Sequence, residues 1–203
     1  MVGYLSGMSE QPELPDAGAD SYKSRLKSGT ILVAREALTD LNFNNTIVLL
    51  CQYGNMGAYG LVLNRTAHMP LHEIFEHPPE LPDLPNLPKG ANLKRRVYIG
   101  GPVQSTELQI LQIGSEPVEE SLQVAPDIFL GGAWEQVEDF LSRDPKTLRM
   151  FLGYAGWGEG QLEEEIEAGA WEVWETDIRR LLMDPDESWT GGREPFHRFL
   201  ESF

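Results

Sequence analysis

The chain has 203 residues, 41% of them hydrophobic and 24% charged, which is close to globular averages and excludes a chain disordered throughout. Sixteen Lys and Arg against 32 Asp and Glu give a net charge of −16, a field that repels nucleic acid and anionic membranes. The single cysteine excludes an intramolecular disulfide and a Cys-based zinc cluster, and no apolar run approaches the roughly 18 residues that span a bilayer. Residues 1–20 lack the charged and apolar regions of a secretory signal, so a reducing cytoplasm is the expected location.

Residues 1–25 are rich in Ser, Gly, Asp and Pro without apolar period and read as a mobile tail; residues 26–203 read as one domain. Thr30-Ile-Leu-Val-Ala34 and Thr46-Ile-Val-Leu-Leu-Cys51 are strand-length apolar runs, the second apolar throughout, as for a strand covered on both faces. Between them Asp40, Asn42, Asn44 and Asn45 supply turn chemistry around Phe43, which is expected to pin the loop to the core. Tyr53–Gly57 reads as a turn into a third strand, Ala58–Asn64, forming an antiparallel hairpin.

Pro70–Glu76 has a short helical pattern, and five prolines between Pro78 and Pro88 forbid helix and central strand, leaving a surface loop over 78–90. Strands are expected at Val97–Gly100, Leu108–Gln112, Asp127–Leu130 and Leu148–Tyr154, with a helix over Ala133–Leu141. Gly153–Gly160 is glycine-dense. Gln161–Ala168 reads as a helix closed by Gly169, followed by a strand at Trp171–Val173 and two short helices, Ile178–Leu182 and Phe196–Leu200. Strands and helices alternate without a βαβ period, so the class is α+β rather than a doubly wound parallel sheet.

The glycine-rich segment before the helix at Gln161 has the position of a phosphate loop but matches neither phosphate-binding pattern. From Glu159 to Asp177 there are eight acidic residues and no Lys or Arg, which already complement the helix dipole and oppose a phosphate. His72 and His77 are five apart rather than the four that place two ligands on one helical face, and Pro70 separates His68 from His72, so no metal is expected. Cys51 has no basic residue or histidine within a dozen positions; a buried structural thiol is the plainer reading, and a redox or nucleophilic role the alternative. Asn64-Arg65 ends an apolar strand with a fork of donors, where ligands commonly bind. Lys94-Arg95-Arg96 is the only run of three basic residues.

Four of these segments recur together in a known order: Asp40-Leu-Asn-Phe43, Gly60-Leu-Val-Leu-Asn64-Arg65, Gly100-Gly101-Pro102-Val103, and Gly153-Tyr-Ala-Gly-Trp157-Gly158-Glu-Gly160-Gln161-Leu-Glu163-Glu-Glu165 followed by Trp171. In this the chain resembles the AlgH/YqgE family of bacterial proteins, from about Leu26 to near the C-terminus. The resemblance implies one compact α+β domain with a mixed sheet flanked by helices. It brings no agreed catalytic residues, and the family's label as a transcriptional regulator rests on an indirect genetic association with alginate production. The chain departs from the family in having Thr66 where proline often follows Asn-Arg, and Arg35-Glu36 where a small-Met-Pro sequence often follows the first strand.

No acid, base and nucleophile stand at usable spacing, so the expectation is a non-enzymatic binding or regulatory protein without cofactor, acting on a protein or small-molecule partner. The expected ligand groove is edged by Asn64, Arg65, Gly101, Tyr154, Trp157 and Gln161. Two alternatives are carried beside it: a redox-active or hydrolytic enzyme using Cys51, and a DNA-binding regulator using Lys94–Arg96.

Overall fold

Two short runs of branched apolar residues set the architecture, because every side chain along them needs cover and only a sheet buried on both faces provides it. In the computed structural model, which describes residues 20–68, 96–117, 119–132, 147–184 and 188–202, these runs are β1 (Ile31–Ala34) and β2 (Ile47–Gly54). Strand β3 (Gly57–Val62) returns along β2 through a tight hairpin in which Gly54 pairs with Gly57. Then follow β4 (Val97–Ile99), β5 (Val103–Ile113), β6 (Ser121–Ala125), β7 (Ile128–Gly131), β8 (Leu148–Trp157) and β9 (Trp171–Trp174). The helices are α1 (Asp20–Lys23), α2 (Gln161–Glu167), α3 (Ile178–Met183) and α4 (Arg193–Leu200).

The strand order is β6-β7-β5-β8-β3-β2-β1-β9, with β4 also paired to β8. Every pairing is antiparallel except β4 with β8. The sheet curls: a Cβ on Gly29, just before β1, would lie 3.3 Å from the Cβ of Ala125 in β6, at the far end of the strand order. One face buries Ile31, Ile47, Leu49, Cys51, Phe151 and, from α3 and α4, Leu181 and Phe196. The other buries Leu32, Val48, Leu50, Trp157 and Trp171 under Leu162 of α2. The fold is thus a single α+β domain built on a mixed, largely antiparallel sheet, as the sequence indicates.

Several boundaries differ from the sequence reading. Asp20–Lys23, placed in the tail by composition, forms a helical turn that seats Tyr22 against Glu167, the hydroxyl donating at 2.8 Å. Strand β6 has one buried side chain, Val124, and so lacks the apolar pattern that betrays a strand. Strand β8 runs on to Trp157, three residues beyond the expected Leu148–Tyr154, through Gly156 of the glycine-dense stretch. Cys51 lies within β2, at an irregularity in the β2–β3 register, rather than at its end. The patterns at Pro70–Glu76, Pro78–Pro88 and Ala133–Leu141 lie outside the described residues.

Candidate functional site

The glycine motifs meet where one strand connection steps over another. Leu152 of β8 pairs with Ile99 of β4 on one side and Leu108 of β5 on the other, so the chain between them must cross the β8 backbone. Gly100 enters the crossing between β3 and β8: its N–H donates to Leu152 O and its carbonyl accepts from Val62 N, both at 2.8 Å. A Cβ on Gly101 would stand 2.2 Å from the carbonyl oxygen of Tyr154, and one on Gly153 would stand 2.6 Å from that of Gly101. Gly153 also holds φ +67°, in the left-handed region. Backbone thus packs on backbone, and only residues without a side chain fit. Gly101 therefore shapes the fold at this point.

Asn64 and Arg65 emerge from β3 beside the 40–45 loop. The Asp40 carboxylate accepts from Asn42 N at 2.7 Å and its carbonyl accepts from Asn44 N at 2.8 Å, an Asx turn of the kind Asp and Asn favour. Arg65 then donates to the carbonyls of Asn42 (2.6 Å), Leu41 (3.1 Å) and Asn44 (3.0 Å) and to the Asn44 side chain (2.9 Å). Partial burial lowers the Arg65 pKa while Asp40 acts in the opposite direction. The Asn64 amide accepts from Ile47 N (2.9 Å) and donates to the carbonyls of Asn45 (2.8 Å) and Thr190 (3.1 Å). Phe43 inserts from the loop between Trp157 and Trp171, with centroids 6.0 and 5.8 Å away. Leu41 at the loop's apex stays 82% exposed.

Trp157 and Gln161 belong to the same face. Glu165 of α2 accepts from both indoles, Trp157 at 2.9 Å and Trp171 at 2.8 Å, and from the Gln161 amide at 2.9 Å. Gln161 Oε1 in turn accepts from Gly158 N at 3.1 Å. The glutamates after the glycine turn thus dock α2 onto the sheet; Glu163 likewise accepts from Tyr53 at 2.6 Å, and burial, with this carboxylate beside it, pushes that phenol up to about 12. Arg65 thus holds the loop that carries Phe43, Phe43 packs on Trp157, and Trp157 and Gln161 both donate to Glu165. Tyr154 is elsewhere, stacked on Tyr59 at 4.5 Å against the other face of the sheet. Of the six residues expected to edge one groove, four are linked through the loop; Gly101 and Tyr154 stand apart.

Cys51 is fully buried, its thiol 3.7 Å from the Leu49 carbonyl, and burial pushes its pKa far above the ordinary thiol range. Of the histidines weighed as ligands, His68 is exposed, while His72 and His77, like Lys94 and Arg95, lie outside the described residues. Among the described residues no group of three His, Cys, Asp or Glu is placed to hold a metal, and no helix is long and apolar enough to cross a membrane.

Sequence reading passes over one constellation. Glu172 of β9 is 8% exposed, and its Oε1 accepts from Arg193 Nε at 2.6 Å, with Arg35 Nε at 3.8 Å. Its Oε2 is 2.7 Å from His197 Nε2 and accepts from Trp174 Nε1 at 3.1 Å. Burial acts to raise the Glu172 pKa, but these donors outweigh it and hold the group below its ordinary value. The available signal was a lone carboxylate alternating with Trp171 and Val173 in an otherwise apolar strand; its partners are far away in sequence.

These features define a class: a one-domain protein with a curled mixed sheet, a backbone crossing built on paired glycines, and a loop clamped by a strand-end Asn-Arg. A family model described as AlgH-like matches residues 31–192, and the chain belongs to the AlgH-like family. A UPF0301 protein of Chlorobaculum parvum is 30% identical over 171 residues, covering 83% of this chain and 85% of that protein. Another, from Chlorobium luteolum, is 34% identical over 155 residues, 75% of each. The solution structure of the AlgH protein from Pseudomonas aeruginosa superposes with a TM-score of 0.62 at 28% identity, covering 79% of this chain and 83% of that one. A crystal structure of a Corynebacterium diphtheriae protein, 20% identical with the same TM-score over 82% and 84% of the two chains, shares the fold.

Proposed function

We propose that this protein works by binding a protein partner through the 40–45 loop, in a regulatory rather than catalytic role and in a reducing cytoplasm. The observation that carries this reading is the contrast at the apex: Leu41 is 82% exposed on a loop held by four Arg65 hydrogen bonds and anchored by Phe43. A large apolar side chain presented on a prefixed backbone loses little entropy on docking, which is how rigid loops gain affinity. The two tightly packed motifs of the family fit the same role, since they hold the surface in place. With −16 overall, the complementary partner offers an apolar pocket rimmed by basic side chains, and direct DNA binding is not part of the proposal.

The test is affinity capture with purified wild-type protein and Leu41→Asp, whose circular dichroism is expected to match. The reading requires a partner that is retained by the wild type and lost by the variant. Retention of the same partners by both would remove the loop from consideration.

A further inference from the structure

Away from that loop, a cavity of about 680 Å³ opens between α3 and α4, a size at which small molecules bind. Its walls follow from the helical period. Arg180, Met183 and Asp184 stand at i, i+3 and i+4 on α3 and its C-cap. Pro195, Arg198, Phe199 and Ser202 stand at i, i+3, i+4 and i+7 along α4 and the turn after it, so each set forms one stripe facing the cavity. Arg180 Nη2 donates to the Ser202 carbonyl at 3.1 Å, which ties the end of the α4 stripe to the beginning of the α3 stripe. Arg198 is one helical turn before Ser202, so both guanidiniums border the same end of the same space.

The lining divides by polarity. Met183 and Pro195 are half-buried and Phe199 is buried, giving an apolar floor, while Arg180 and Arg198 are exposed at the rim. Arg198 makes no hydrogen bond or ion pair among the described residues. The one carboxylate among the described lining residues, Asp184, follows Arg180 by a helical turn and accepts from Ser188 Oγ at 3.4 Å. Two guanidiniums against one carboxylate leave a single positive charge in excess, in a chain with twice as many acidic as basic residues. One surplus charge is balanced by a monoanion, whereas a dianion leaves a charge uncompensated in a molecule already at −16. A guanidinium edge offers two parallel N–H donors that match the two oxygens of a carboxylate. The floor needs an apolar body, and a methionine beside a phenylalanine adapts to a flexible one.

We propose that this cavity binds a carboxylic acid with an apolar body, its carboxylate against Arg198 and Arg180 and its body over Met183, Pro195 and Phe199. The site shares no lining residue with the 40–45 loop or its Arg65 clamp.

The experiment titrates octanoate into the 203-residue chain at constant ionic strength and follows the Met183 methyl and Arg198 side-chain resonances by NMR. Saturable shifts of both are expected, with the uncharged octanamide weaker by about tenfold or more. From butanoate to octanoate, affinity should rise by up to about fourfold for each CH2 that the floor covers. Octyl phosphate, a dianion at about pH 8, is expected to bind more weakly than octanoate. N-acetylleucine separates the two sources of such a group: tighter binding than octanoate identifies the end of a peptide, and the reverse order a free acid. Arg198→Gln strands no partner and keeps the fold; it weakens octanoate by about tenfold and leaves octanamide unchanged. Non-saturable shifts, octanamide or octyl phosphate binding as tightly as octanoate, or unchanged octanoate affinity in Arg198→Gln would each overturn the proposal.

Discussion

Glu172→Gln removes the charge from a buried position without changing its size. The wild-type carboxylate accepts from Arg193 at 2.6 Å and Trp174 at 3.1 Å and faces His197 at 2.7 Å. Hydrogen bonds to a charged group contribute about 1.5–3 kcal/mol each, but Arg193 and His197 are partly exposed and regain water when released, so the expected loss is about 2–3 kcal/mol rather than the sum. The pH dependence has a definite sign. The folded pKa of Glu172 lies below its unfolded value, so the contribution is fully present above the ordinary carboxylate range and fades as pH falls through the folded pKa. Urea unfolding of both proteins at neutral pH and in acid measures the difference. A gap of about 2–3 kcal/mol at neutral pH that narrows in acid is predicted. A gap below about 0.5 kcal/mol, or one that persists unchanged in acid, would mean that the donors around Glu172 do not stabilise its charged form.

Three further outcomes follow from the packing. Gly101→Ala places a Cβ 2.2 Å from the Tyr154 carbonyl oxygen, with backbone on both sides unable to yield, so it should cost several kcal/mol and abolish soluble folded protein, measured by expression and thermal melting. Glu165→Ala strands the indole N–H groups of Trp157 and Trp171, and a loss of about 2 kcal/mol with a change in tryptophan emission is expected in denaturant titrations. Native Cys51 should resist iodoacetamide at mildly alkaline pH and react fully once urea unfolds the chain, a difference read by mass spectrometry.

What could be read from the chain depended on the range of the interaction. The strands around Ile31–Ala34 and Ile47–Leu50 are legible because burial on both faces demands an unbroken apolar run, and the hairpin because Gly54 and Gly57 bracket a two-residue turn. The helix over Gln161–Glu167 carries its own stop in Gly169, at φ +80°. Strand β6 escapes because only Val124 needs cover, and the end of β8 because Ala155, Gly156 and Trp157 are held in the sheet by Gly60, Tyr59 and Ala58 of β3, far away in sequence. The donor fork of Arg65 is visible in the sequence, whereas its acceptors, three carbonyls and an amide side chain of the 40–45 loop, follow only from the fold. The same holds for Glu172, whose cationic partners come from both ends of the chain.

The proposed role of the Arg65 clamp is to present Leu41 to a partner. A photo-crosslinking residue at position 41, activated in cells with and without Arg65→Ala, tests this directly. A discrete covalent adduct to one protein, lost when the clamp is removed from an otherwise folded chain, is the predicted result. No adduct at position 41, or one equally strong without Arg65, would contradict it.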